Sequence, residues 1–97
     1  MGIDLLDLVF RIERQFNIKV HRDELAKLFL AADPQGNRRD LRVRDLHVWV
    51  EEQTRRQNPE YQGHLESELN LVISQCLYVK LASVTPDAWM VRDLGMD

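Results

Sequence analysis

The chain has 97 residues, of which 44% are hydrophobic and 30% are charged, and its formal net charge is -3. This length and composition favour one soluble globular domain with a single small core, and the charge argues against nucleic acid as a partner. The single cysteine, Cys76, excludes an internal disulfide framework, and no apolar run approaches the roughly 18 residues of a membrane span.

The first helix is predicted over Ile3–Phe16, because apolar residues recur there at helical spacing. Leu6 and Phe10 lie four residues apart and widen this apolar stripe. Asn17 is expected to end the helix, since asparagine tolerates the left-handed conformation of a C-terminal cap. The stripe consists of Leu5, Leu8, Val9, Ile12 and Phe16.

Three more helices are predicted along the chain. A short extended piece leads into a helix over His21–Ala32, and the breaker Asp33–Asn37 follows it. The third helix is expected from Leu41 to about Gln57. Asn58-Pro59 is typical of a helix start, so the fourth helix is expected to run from Glu60 to about Leu81. The sequence therefore predicts an all-α fold of four helices.

Two distant stretches carry a family resemblance. The run Asp93-Leu94-Gly95-Met96-Asp97 resembles the stretch before the modified serine of acyl carrier proteins, and 84–92 resembles the loop that precedes it. Ile3–Glu13 resembles the family's second helix, which follows that serine. The two half-motifs stand in reversed order, so the chain resembles an acyl carrier protein in circularly permuted order, with Gly2 on the serine position.

The resemblance implies a single acyl-carrier-like four-helix bundle over 1–97. Residues 3–54 would be equivalent to family helices two to four, 55–63 would be a linker, and 64–97 would be family helix one with its loop. In this arrangement the first and third helices run parallel. The intervening 17–40 segment is long enough to cross back along a helix of about 21 Å.

In the family, a phosphopantetheinyl transferase attaches 4'-phosphopantetheine to the serine hydroxyl, and the arm carries acyl groups as thioesters. Because Gly2 has no hydroxyl, no cofactor is expected on the chain as written. Asp97 and Ile3 flank this attachment-equivalent position. The resemblance also implies a non-catalytic, cytoplasmic domain of fatty-acid, polyketide or lipid biosynthesis that docks acyl-transferring enzymes. The implied docking residues are Asp4, Asp7, Leu6 and Met96.

Several residues have a simpler structural interpretation. Asp4 and Asp7 also suit the dipole of a helix start, and both interpretations stay open. For Leu6 and Phe10, core packing is favoured over lining an acyl pocket. Cys76 is interpreted as buried filler. A basic cluster at the start of the third helix is interpreted as solvated, with Asp40 and Asp45 interleaved; it comprises Arg38, Arg39, Arg42 and Arg44.

Two alternatives to a closed permuted domain remain. One is a segment that spans two tandem carriers and exchanges halves in a swapped dimer, so the expected state is either monomer or swapped dimer. The other is a helical protein-interaction module with no carrier role. An enzyme is not expected, because the sequence contains no catalytic motif, and the three histidines lack the spacing of metal ligands.

Overall fold

The computed structural model describes residues 3–31 and 40–96, and within these ranges the chain forms four α-helices and one short 3-10 turn. The prediction of an all-α four-helix fold is confirmed. No helix within the described ranges is long and apolar enough to cross a membrane. The helices are α1 (Ile3–Phe16), α2 (Arg22–Ala31), α3 (Val43–Gln57) and α4 (Leu65–Leu77), followed by the 3-10 turn Leu81–Ser83.

Helix α1 has the bounds that the sequence predicts, but its apolar stripe is narrower. Asn17 adopts a positive φ of 54° and ends the helix in the left-handed conformation. The placement of Leu6 and Phe10 in the core is wrong, because their side chains are 41% and 60% exposed. They lie on the side of α1 that the other helices do not cover. The buried side consists of Leu5, Leu8, Val9, Ile12 and Phe16.

Two contacts between α1 and α4 fix their relative direction. Near the end of α1, Gln15 Nε2 donates a hydrogen bond to Glu68 Oε1 over 2.7 Å. Near the start of α1, the Cys76 thiol donates to the carbonyl oxygen of Asp4 over 3.7 Å. The end of α1 thus meets the start of α4, and the start of α1 meets the end of α4. The two helices are therefore antiparallel.

The last residues of α3 meet the last residues of α1. Asn58 Nδ2 donates to the carbonyl oxygen of Phe16 over 3.0 Å, and Gln57 Nε2 donates to that of Lys19 over 2.9 Å. The ends of α1 and α3 therefore lie together, while the first turns of α4 lie along the first half of α3, where His47 contacts Asn70.

Helix α4 is shorter at both ends than the sequence predicts. Asn58 caps the end of α3, with its backbone N–H bonded to Thr54, and does not begin a new helix. The next helix begins only at Leu65, after a turn in which the Tyr61 N–H donates to Asn58 O. At the other end, Tyr78 adopts a positive φ of 56° and stops the helix. The tertiary contact of Asn58 with α1 outweighs the local Asn-Pro signal.

The core lies between the inner faces of all four helices. It also includes residues of the segment before α2 and of the C-terminal loop 84–96. From α2 it includes Leu25 and Phe29, each with no exposed surface, and from the segment before α2 it includes Ile18 and Val20. The predicted breaker Asp33–Asn37 lies outside the described residues. From α3 and α4 the buried residues are Val43, Leu46, Val50, Leu69, Val72, Ile73 and Cys76.

Candidate functional site

The C-terminal loop 84–96 packs on the start of α3. The backbone N–H groups of Val43 and Arg44 donate to the carbonyl oxygens of Ala88 and Pro86, over 2.9 and 3.0 Å. The first N–H groups of a helix have no partner within the helix. Here the loop supplies the acceptors, which explains why the N-cap residue Arg42 needs no side-chain cap.

Asp40 holds the same loop from the other side. It is only 4% exposed, and its carboxylate accepts the backbone N–H groups of Leu41 and Val91 over 2.8 Å and that of Arg92 over 3.1 Å. The Met90 N–H donates to the carbonyl oxygen of Leu41 over 2.8 Å. Asp40, predicted only as an acid interleaved with the basic cluster, thus binds a loop about fifty residues further along the chain.

The basic residues at the start of α3 also have partners in the loop. Asp87 forms ion pairs with Arg42, over 3.6 Å, and with Arg44. The guanidinium groups of Arg42 and Arg92 lie 4.7 and 5.0 Å from the centre of the Trp89 ring, a cation–π arrangement. Arg38 and Arg39, the other members of the predicted basic cluster, lie outside the described residues. Arg42 and Arg44 thus bind the loop as well as facing solvent.

The carrier-like run at the end of the loop is mostly packed inward. Leu94 and Met96 are buried, and the Met96 N–H donates to the Met90 carbonyl oxygen over 2.9 Å. Gly95 has a φ of +74°, which L-residues rarely adopt. The prediction of Met96 as a docking residue is not supported, because its side chain belongs to the core. Asp97 lies outside the described residues.

The first turns of α1 lie beside the end of α4, where the Cys76 thiol donates to the carbonyl oxygen of Asp4. Ile3 is 79% exposed and Leu6 is 41% exposed, so both side chains are accessible to a partner. Asp4 is half-buried, and Asp7 is bonded to Arg11 Nε over 3.1 Å within the helix. Gly2, which the resemblance places on the attachment position, lies outside the described residues.

Cys76 is buried beside this helix start, as predicted. Burial, followed by the nearby carboxylates of Asp7 and Asp4, raises the pKa of the Cys76 thiol to about 12. The thiolate is the reactive form of cysteine, so this environment keeps the side chain inert. The structure thus gives Cys76 a packing role.

A second polar cluster lies where the end of α1 meets the start of α4. Glu68 accepts the backbone N–H of His64 over 2.8 Å, which caps α4, and it also holds Gln15 of α1. The Tyr61 ring packs edge-on against Phe16 with centroids 5.5 Å apart. Burial and then the Glu68 carboxylate raise the pKa of Tyr61. The Tyr61 hydroxyl is the main cause that lowers the pKa of Glu68. The hydrogen bonds from Gln15 and His64 lower this pKa further.

We expect Glu68 to make the fold sensitive to acid. A carboxyl group whose pKa is lower in the folded chain contributes stability above its unfolded value, here 4.5, and loses it as the pH falls further. In Glu68→Gln, the free energy of unfolding should therefore decline less steeply below that pH. Urea titrations at neutral and acidic pH measure this slope. Glu66→Gln, in the first turn of the same helix but exposed, is the matched control and should change the slope less.

The described residues show no cluster of three or more histidine, cysteine or acidic side chains that could hold a metal ion. His47 instead lies 2.7 Å from Asn70 Oδ1, between α3 and α4. No known protein family, curated protein or solved structure matches this chain.

Sequence reasoning missed the carboxylate of Asp40 and the paired guanidinium groups around Trp89 at this site. A signal for Asp40 was its position two residues before the Arg42 cap, next to the buried Leu41. That position alone does not reveal the distant N–H groups that it binds. The expected docking residues Asp4, Leu6 and Asp7 stand together on α1, as the predicted helix required, and their docking role stays a prediction.

Proposed function

We propose that this chain is an acyl-carrier-like domain in permuted order, a non-catalytic domain that docks with acyl-transferring enzymes. One observation carries the proposal: the end of α4, from which the chain leads into the loop ending in Asp93-Leu94-Gly95-Met96, lies beside the first turn of α1. We infer that the end of this loop and the start of α1 are neighbours. Rejoining them would restore the order of a carrier's attachment junction. The antiparallel return of α4 supports the proposal as well, since the family's first helix runs against its second and fourth.

Phosphopantetheine does not fit the chain as written. Gly2 offers no hydroxyl, and the described serines do not replace it. Ser74 donates its hydroxyl to the Val79 carbonyl oxygen over 2.9 Å within the fold. Ser67 lies in the first turn of α4, and Ser83 lies in the 3-10 turn. The proposed role is therefore docking without carrying an acyl group, in the cytoplasm, within fatty-acid, polyketide or lipid synthesis.

The proposal is tested by restoring the hydroxyl. The chain is incubated with coenzyme A and a phosphopantetheinyl transferase, and its mass is measured. The unchanged chain should gain no mass, whereas Gly2→Ser, prepared with a few residues added before Met1, should gain one phosphopantetheine arm. A helix start favours this chemistry because its free N–H groups and partial positive charge stabilise a phosphate.

Two controls make the result decisive. Gly2→Ala changes the same position without adding a hydroxyl and should stay unmodified. Ser67→Ala in the Gly2→Ser background should keep the modification, because Ser67 belongs to α4 and not to the rebuilt junction. A Gly2→Ser chain that folds but gains no mass, under conditions that modify an ordinary carrier, would count against the carrier interpretation.

A helical interaction module without carrier ancestry is the second candidate. The observation that favours it is the exposed apolar side of α1, where Ile3 and Phe10 are 79% and 60% exposed. Such a module needs a binding face but no attachment site. The modification test separates the two, because only the carrier interpretation expects Gly2→Ser to be a transferase substrate.

A further inference from the structure

Helix α1 carries three large apolar side chains that no part of the described chain covers. Ile3, Leu6 and Phe10 are 79%, 41% and 60% exposed and stand within two turns of one helix. Single exposed apolar residues are ordinary, but a contiguous patch marks an interaction surface. The other large exposed apolar side chains are spread over different elements: Leu30, Val48, Leu71, Tyr78 and Leu81.

The outward face of α1 has the spacing of a helix-pairing row. Ile3, Asp7, Phe10 and Arg14 follow one another at intervals of four, three and four residues, and Leu6 flanks the row. Residues three and four apart are neighbours on a helix surface, and a row of this spacing is how one helix presents itself to another. Ile3, Phe10 and Arg14 of this row are exposed, whereas Asp7 is half-buried and bonded to Arg11.

The charges along α1 specify what can pair with that row. The acidic residues Asp4 and Asp7 stand in its first half, and the basic residues Arg11 and Arg14 stand in its second half. The acidic Glu13 also lies in the second half, where its carboxylate accepts the Val20 N–H over 2.8 Å. Against an antiparallel copy of the same helix, acids meet bases at both ends. Against a parallel copy, like charges meet, which is unfavourable.

We propose that α1 pairs with α1 of a second copy of this chain in an antiparallel, two-fold symmetric dimer. Asp7 of each copy then lies beside Phe10 of the other and within reach of its Arg14, whose aliphatic stem covers the other copy's Ile3. The same surface pairs with itself, as two-fold symmetry requires. The patch supplies less than the roughly 800 Å² per partner of a standard interface, so the dimer is weak and dissociates on dilution.

Pairing would also regulate the proposed function. The first turns of α1 carry the residues assigned to enzyme docking, so a paired copy presents no docking surface. High local concentration would therefore withdraw the domain from its enzymes. This consequence rests on the proposed function, but the dimer itself does not.

Sedimentation equilibrium over a wide concentration range measures the dimer directly. The unchanged chain should show a reversible monomer–dimer equilibrium. Phe10→Ser should weaken dimerisation at least about tenfold, because a central aromatic side chain is lost twice in the symmetric pair. The matched control Leu71→Ser removes an apolar side chain that is 46% exposed on α4 and should leave the equilibrium unchanged. Circular dichroism verifies that each variant is folded.

Charge exchange tests the antiparallel arrangement. Arg14→Glu and Asp7→Arg should each weaken self-association, because each places like charges together across the two-fold axis. Mixing the two variants should restore pairing, since each position 7 then faces a position 14 of opposite charge on the other chain. A chain that stays monomeric throughout, or a dimer insensitive to Phe10→Ser, as expected of exchanged halves, would overturn the proposal. Failure of the mixed variants to associate would do the same.

Discussion

Asp40→Ala should lower the free energy of unfolding by about 3 kcal/mol, a large share of the roughly 5–15 kcal/mol that stabilises a domain. The substitution removes the acceptor of three backbone N–H groups, those of Leu41, Val91 and Arg92. The position is only 4% exposed, so water replaces the carboxylate poorly. Donors that stay buried without a partner cost far more than one average hydrogen bond contributes.

Chemical denaturation measures that loss, and hydrogen exchange shows where it arises. The Val91 and Arg92 amides should exchange faster in the variant, while amides in the middle of α4 should change only as far as global stability falls. Asp45→Ala is the matched control, because Asp45 is exposed in the first turn of α3 and should cost less than about 1 kcal/mol. Equal losses for the two variants would contradict the role assigned to Asp40.

Phe16→Ala should cost about 3–5 kcal/mol, the range for truncating a fully buried aromatic side chain. Phe16 has no exposed surface, and its ring packs edge-on against Tyr61 in the segment between α3 and α4. Its carbonyl oxygen also accepts Asn58 Nδ2. The substitution would therefore open a cavity where three elements meet.

The control for this prediction lies on the same helix. Phe10→Ala makes the same chemical change at a side chain that is 60% exposed, and should cost less than about 1 kcal/mol. Both variants are compared by urea denaturation at low protein concentration, so that self-association through α1 does not contribute. A similar cost at both positions would contradict the burial of Phe16 and the exposure of Phe10.

The contrast between these two phenylalanines shows how far helical periodicity reaches. The spacing of Leu5, Leu8 and Ile12 correctly predicts a helix and its bounds, because these residues define one side of α1. Phe10 and Leu6 fall close enough to that stripe to be counted with it. Which edge of a wide apolar stripe is covered depends on where α2 and α4 pack, and a single sequence does not contain that information.

Long-range contacts account for what the local sequence patterns missed. Asn58-Pro59 has the local form of a helix start, yet Asn58 bonds to Phe16, 42 residues earlier, and ends α3 instead. Asp40 is a charged residue, a type that usually faces solvent, yet it binds amides 51 and 52 residues further along the chain. Local propensity is a weak prior where such tertiary contacts compete.

The residues at the start of α1 illustrate the same limit. Local spacing predicts that Ile3, Asp4, Leu6 and Asp7 stand on the first turns of one helix, but it does not predict the exposure of Leu6. The inward packing of Met96 required knowledge of the loop. The nearness of the loop end to the start of α1 stays a prediction of the permuted resemblance.

The late position of α4 has a consequence for how the chain folds during synthesis. Helices α1 and α3 leave the ribosome first, but α4 packs on both, and the start of α3 lacks its carbonyl acceptors until Pro86 and Ala88 emerge. Until α4 is synthesised, the nascent chain lacks the element that buries the apolar face of α1. Such intermediates are prone to aggregate, so the yield of this chain in cells should depend on chaperone capacity.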